Sequence, residues 1–160
     1  MIGKKVEQHP ELLKEMDQQG HTIANHSYSH SNTIAFFSRQ KLLDDISDCS
    51  AAIEKVIHKK PLFFRPPYGV TNPRYPTVLS KLKLQSIGWT VRSFDMQFKE
   101  SRKLLKRITG LLNKGSIVLL HDTQQVTLET LPLLIEYCRN KKIKIVSLPE
   151  LINIEPYEKV

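Results

Sequence analysis

His26-Ser27-Tyr28-Ser29-His30 is the first stretch whose residue types and spacing could do chemistry. A single helical turn brings imidazoles at i and i+4 to one side, where they can share a divalent metal. A catalytic zinc normally takes three protein ligands and keeps one open position, so a carboxylate would have to come from elsewhere. Arg65-Pro66-Pro67-Tyr68-Gly69 is the second such stretch. Its prolines fix an extended path and its glycine permits a tight turn, so the N–H of Tyr68 can point rigidly into a cleft. Arg65 could hold a carboxylate by two hydrogen bonds. The third is Leu119-Leu120-His121-Asp122, an apolar run closing on an imidazole that could act as general acid. Asp95, after Trp89-Thr90-Val91-Arg92-Ser93-Phe94, is either the carboxylate that raises that histidine's pKa or a helix cap.

His-Ser-x-x-His, Arg-Pro-Pro-Tyr-Gly, a Trp-bearing strand closing on Asp, and Leu-Leu-His-Asp, in this order, resemble the motifs of the polysaccharide deacetylases, carbohydrate esterase family four. The run Gly20-His21-Thr22-Ile23-Ala24-Asn25-His26 is similar to the segment that precedes the family's metal histidines. The resemblance implies a distorted (β/α) barrel that removes acetyl groups from N-acetylated sugars of a cell-wall or exopolysaccharide, with a divalent metal. Zinc is the first expectation, with cobalt, nickel or manganese as alternatives. By motif matching His26 and His30 become metal ligands and His121 the general acid. Tyr68 would offer its N–H to the oxyanion, Arg65 would steady the base, Leu119 would line an acetyl pocket, and Trp89 would pack beneath the cleft. The family also implies a location in the cell envelope or outside the cell.

Two departures from the family pattern shape the expectations. Arg92 and Met96 stand where the family usually has Asp and a second Trp. The family also opens with a strand ending in Asp-Asp, the first acid acting as base and the second as third metal ligand, ahead of a segment like Ile2-Gly3-Lys4-Lys5. None of the sixteen acidic residues occupies such a position, and Asp44-Asp45 falls inside an amphipathic helical pattern. The expectation is a single domain over 1–160 that lacks its first β/α unit, with a weakly held metal, impaired activity, and an exposed barrel gap open to homo-oligomer formation. A non-catalytic sugar-binding or scaffolding homologue of the same fold is the alternative.

The elements that must position these residues are legible from periodicity. Helices are predicted near Val6–Gln18, with Pro10 in a first turn, Ser38–Ile57, Thr77–Lys83, Ser101–Leu112, Thr127–Arg139 and, briefly, Pro149–Ile152. Leu42, Leu43, Ile46, Cys49, Ile53, Val56 and Ile57 recur on one face of the second. Strands are predicted at His21–Ala24, Leu62–Phe64, Leu84–Val91, Ile117–Leu120 and Ile143–Val146. Regular alternation implies a parallel sheet with covering helices, and about five strands are too few for a complete eight-stranded barrel. His26 and His30, Arg65, Asp95 and His121 each fall just past a predicted strand's C-terminal end, the edge where parallel α/β folds build active sites.

Bulk composition excludes more than it assigns. Hydrophobic residues at 40% and charged residues at 25% fit a soluble globular domain, and no apolar run is long enough for a membrane span. Twenty-four basic against sixteen acidic residues give +8, which favours an anionic partner such as an acidic cell-wall polymer. The basic pairs Lys4-Lys5, Lys59-Lys60 and Lys141-Lys142 are dispersed, so nucleic acid is not an expected partner. Cys49 and Cys138 read as buried thiols.

Overall fold

Pro10 decides how the chain starts. The residue before a proline is pushed out of the helical region, and His9 adopts φ −137°, ψ 58°. The single helix expected there is consequently two, α1 (Gly3–Gln8) and α2 (Pro10–Gln18), with Pro10 at the first helical position of the second. The computed structural model describes residues 1–70 and 72–158. It continues with α3 (Arg39–Ile57), β1 (Phe63–Phe64), α4 (Tyr75–Lys81), β2 (Gln85–Ser86), β3 (Val91–Arg92), α5 (Ser101–Thr109), β4 (Val118–Leu119), α6 (Gln125–Asn140) and α7 (Leu148–Ile152). No helix among the described residues is long and apolar enough to cross a membrane.

The chain divides into two compact units, Met1–Gly88 with Ile152–Val160, and Trp89–Leu151. The division falls inside the stretch expected to be one strand, Leu84–Val91. That stretch is instead two short strands, β2 and β3, separated at Ile87–Thr90, and each pairs with a different neighbour.

In the first unit β1 runs parallel to β2, with Phe63 opposite Gln85 and Phe64 opposite Ser86, and Asn25 forms a parallel bridge to Phe64 on the other side. The expected strand His21–Ala24 is thus reduced to a single bridged residue just beyond it. α3 is capped by Ser38, whose hydroxyl accepts from the Lys41 N–H, and ends on His58 in the left-handed conformation. Its apolar stripe serves two cores. Leu42 and Ile46 pack with Ile34, Phe64, Val78 and Leu79, while Cys49 and Ile53 pack with Val6, Leu13 and Ile23.

In the second unit β3 runs parallel to β4, with Val91 opposite Val118 and Arg92 opposite Leu119. Leu104 and Ile108 of α5, Val126, Leu134 and Cys138 of α6, and Val91 form its core. The expected strand Ile143–Val146 forms no ladder among the described residues. Ile143 is 43% and Ile145 61% exposed, so the apolar alternation that suggested a strand has no neighbouring strand to bury against. Both ladders are parallel, as alternating strands and helices require.

Candidate active site

In each unit the reactive residues emerge past the C-terminal ends of the parallel strands. In the first, Asn25 makes the bridge to β1 and His26 follows it; Arg65 follows β1 directly. The His26–His30 segment is a tight loop, not the helical turn its spacing suggested, and Ser27 and His30 take φ of 66° and 47°. Side chains that accept from the loop's own N–H groups hold it there. Asn25 Oδ1 accepts from Ser27 N–H at 2.9 Å, and Ser27 Oγ from His30 N–H at 3.0 Å. The Asp45 carboxylate, reaching from α3, accepts from Tyr28 N–H at 3.2 Å and Ser29 N–H at 3.1 Å. The loop nevertheless brings the two imidazoles together, with ring centroids 4.9 Å apart and planes tilted by 54°.

His26 Nδ1–H donates to the Arg65 carbonyl oxygen at 2.6 Å, which directs its Nε2 lone pair away from that bond. Such a bond is the usual way a protein sets the tautomer of a metal-ligating histidine. Burial, opposed by that hydrogen bond and helped by the positive charges of the N-terminus and Arg65, lowers the His26 pKa from 6.5 to about 4. Its imidazole is therefore neutral at pH 7, the form that binds a metal. The donor set fits a divalent ion as far as it goes, but among the described residues no three His, Cys, Asp or Glu side chains gather to hold one.

This burial has a measurable consequence for stability. Between pH 4 and 6.5 the unfolded chain binds a proton at His26 that the folded chain does not, so stability rises with pH across that window. The contribution, on the order of 3 kcal/mol, is present above about pH 6.5 and lost as pH falls toward 4. Urea unfolding at about pH 7 and pH 4.5 should show the loss, and His26→Gln should flatten it; an equally steep profile in the variant would assign the acid lability to other groups.

Arg65 donates from Nε to the Ile87 carbonyl at 3.4 Å and from Nη2 to the Gly88 carbonyl at 3.3 Å. It pairs with no carboxylate among the described residues. Tyr68 takes φ 59°, a left-handed conformation unusual for a residue with a Cβ, inside the turn Pro67–Gly69. Its N–H has no protein acceptor among the described residues, as an oxyanion donor requires. Its hydroxyl donates to the His30 carbonyl at 3.1 Å, and its ring lies 4.7 Å from the His30 ring. The histidine loop and the expected oxyanion turn are therefore in contact.

In the second unit Asp95 is fully buried at the end of β3, and His121 lies just past β4. The Asp95 carboxylate accepts from four donors. They are the His121 ring Nδ1–H at 2.7 Å, the His121 backbone N–H at 2.6 Å, the Thr127 hydroxyl at 2.8 Å and the Met96 N–H at 3.1 Å. Burial alone would raise the Asp95 pKa, but these bonds outweigh it and hold the carboxyl below its ordinary value. The His121 side chain is 43% exposed and keeps Nε2 for proton transfer. Leu119, in β4, is half-buried, and Trp89, ahead of β3, is also half-buried. The Asp95 carboxylate is thus hydrogen-bonded to His121, and it also accepts the N–H of Met96.

Sequence reasoning passed over Asn25, Asp45 and Thr127. Asn25 is fully buried and uses its whole amide, donating to the Ile46 carbonyl at 2.7 Å and Ser50 Oγ at 2.8 Å while accepting from Ser27. A buried amide next to a candidate ligand was the available signal, since an Asn is rarely buried without partners. Asp45 was set aside because it lies in an amphipathic helix. It does lie in α3, yet the buried side of that helix faces the histidine loop.

Residues 1–87 match the family model described as polysaccharide deacetylase. The chain belongs to the polysaccharide deacetylase family. It is 25% identical over 155 residues to the peptidoglycan-N-acetylmuramic acid deacetylase PdaC of Bacillus subtilis, covering 97% of this chain and 32% of that protein. It is 29% identical over 160 residues to a peptidoglycan-N-acetylglucosamine deacetylase of Bacillus cereus, covering 95% of this chain and 73% of that protein. A solved family 4 carbohydrate esterase pseudoenzyme from Bacillus anthracis superposes with a TM-score of 0.88 at 26% identity, covering 94% of this chain and 53% of that one. The chain thus spans about a third of PdaC and about half of the pseudoenzyme.

Proposed function

We propose that the chain serves a metal-dependent deacetylation of N-acetylated cell-wall glycan on a distorted (β/α) barrel, and that turnover by these 160 residues by themselves is severely impaired. The observation that carries this reading is the buried Asp95 holding His121 by its Nδ1–H, which leaves Nε2 to deliver a proton to a leaving amine. His26 and His30 would hold the metal, which supplies Lewis-acid polarisation and activation of water when bound. The Tyr68 N–H would take the developing oxyanion charge. Arg65, unpaired with any described carboxylate, is held by Nε and Nη2 donating to backbone carbonyls and would orient a base that is not among the described residues with its remaining N–H groups. Acetate release from N-acetylated chito-oligomers, with and without added zinc or cobalt, tests the reading.

A second reading, a glycan-binding homologue without catalysis, draws support from the two-imidazole donor set and from the likeness to a pseudoenzyme. Glycan binding with no acetate release, even with an Asp-Asp strand joined ahead of Met1, would favour it.

The exposed Ile143 and Ile145 support a further expectation. A segment with exposed isoleucines that forms no ladder among the described residues invites pairing with another chain, so the chain should self-associate at high concentration. Light scattering checks this, and a monomer throughout the accessible range would count against it.

A further inference from the structure

A groove on α5 uses none of the residues discussed above as site residues. Phe98, Lys103, Lys106, Arg107, Gly110 and Leu111 line a shallow, open depression of about 470 Å³. From Lys99 to Arg107 the sequence carries five basic residues and one acid, Glu100. Leu104 and Ile108 turn into the core, which leaves the basic residues on the outer face.

The cations are arranged unevenly. Arg107 is fixed, donating from Nε to the Ser93 carbonyl at 3.0 Å and from Nη2 to the Arg92 carbonyl at 3.3 Å, with its guanidinium 4.7 Å from the Phe94 ring centre. Lys103 pairs with Glu100 at 2.6 Å, but both side chains are exposed, so the pair is screened and exchangeable. Lys106 forms no ion pair among the described residues. Like charges three and four residues apart on a helix repel, and the exposed Glu100 is the one carboxylate paired with this group among the described residues.

The floor of the groove is apolar, made by Phe98 and Leu111, the latter 43% exposed. Gly110 also lines it. With φ −70° and ψ −13° its backbone is helical and any residue could adopt it, so no conformational requirement explains a glycine there. A Cβ would lie 3.2 Å from the Lys106 carbonyl oxygen, tight but within reach of a small adjustment.

We infer that this groove binds a carboxylate-bearing sugar unit of an anionic glycan. The C–H face of the sugar ring rests on Phe98 and Leu111, and its carboxylate is held by Lys106 and the preorganised Arg107. The inference rests on the reading that the chain engages a polysaccharide, and it names the chemical class of that polymer. Three cations within two turns of one helix suit a single anionic group better than the extended phosphate track of a duplex.

The test is calorimetric titration of the intact chain, without metal, with carboxylated oligosaccharides such as oligogalacturonate and with neutral chito-oligomers of equal length. Carboxylated oligomers should bind, the neutral ones should bind at least about tenfold more weakly, and raising salt from about 50 mM to about 300 mM should weaken the carboxylated interaction. The double variant Lys103→Gln/Lys106→Gln and the groove-filling Gly110→Leu should each lower affinity by about tenfold or more, with far-UV circular dichroism unchanged. Equal affinity for neutral oligomers, indifference to both variants, or tighter binding of duplex DNA would each overturn the assignment. Because binding is read without turnover, oligogalacturonate retention by a chain that stays inactive even with an Asp-Asp strand joined ahead of Met1 supports the groove while counting against the deacetylase reading. Acetate release by that extended chain without such retention does the reverse.

Discussion

Acetate release by the 160-residue chain from chitin oligomers or N-acetylated peptidoglycan should be at most trace, even in excess zinc or cobalt. Metal-assisted amide hydrolysis needs activated water, a base to take its proton, oxyanion stabilisation and an acid for the leaving amine. Candidates for the last two are present in the Tyr68 N–H and His121, whereas no described carboxylate joins His26 and His30. Loss of a general base alone costs ~10²–10⁴-fold, and a two-imidazole donor set should add to that through weak metal affinity. Joining a strand that ends in Asp-Asp ahead of Met1 should therefore raise turnover by ~10²–10⁴-fold or more. The comparison is made with the two proteins side by side, with metal content determined for each. Robust turnover by the unextended chain, abolished by His121→Ala, would mean that another carboxylate serves as base and would defeat the proposal.

Asp95→Ala should be the most damaging single substitution in the second unit. It removes the acceptor of four hydrogen bonds from a fully buried position and strands the His121 and Met96 N–H groups and the Thr127 hydroxyl. Each unsatisfied buried group costs about 1–3 kcal/mol, so a total of about 3–5 kcal/mol is expected, comparable to the whole stability of a marginal domain. Thr127→Val keeps the shape and deletes one of the four donors, and should cost only about 1 kcal/mol. Trp89 is the single tryptophan and lies in this unit, so its fluorescence during denaturant unfolding reports the loss. The depressed Asp95 pKa adds a sign: the folded state binds this proton less readily than the unfolded state. Its stabilisation is therefore present above the ordinary carboxylate pKa, near 4, and lost as pH falls below it. A loss of under about 1 kcal/mol in Asp95→Ala would show that water replaces the carboxylate.

Local patterns in the sequence determined a good deal by themselves. The helical stripe from Leu42 to Ile57 is buried as its period demanded, because an amphipathic helix has one face to hide. Pro10 started a helix because its fixed φ suits that position. The reactive residues fell at strand ends, and the four motifs in order were sufficient to identify the family. Tertiary structure alone decided what depends on partners distant in the chain. Asp45 and Tyr28 are 17 residues apart, and Asp95 and Thr127 are 32 apart. No period or local preference encodes such hydrogen bonds; they exist only once α3 and α6 are packed. The same reason explains Ile143–Val146 and Leu84–Val91. Alternation sets which side chains share a face, but a strand is made by the backbone groups of a neighbour. Where the fold supplies that neighbour to only two residues at a time, as at β2 and β3, or to none among the described residues, as at Ile143–Val146, the ladder shortens or does not form.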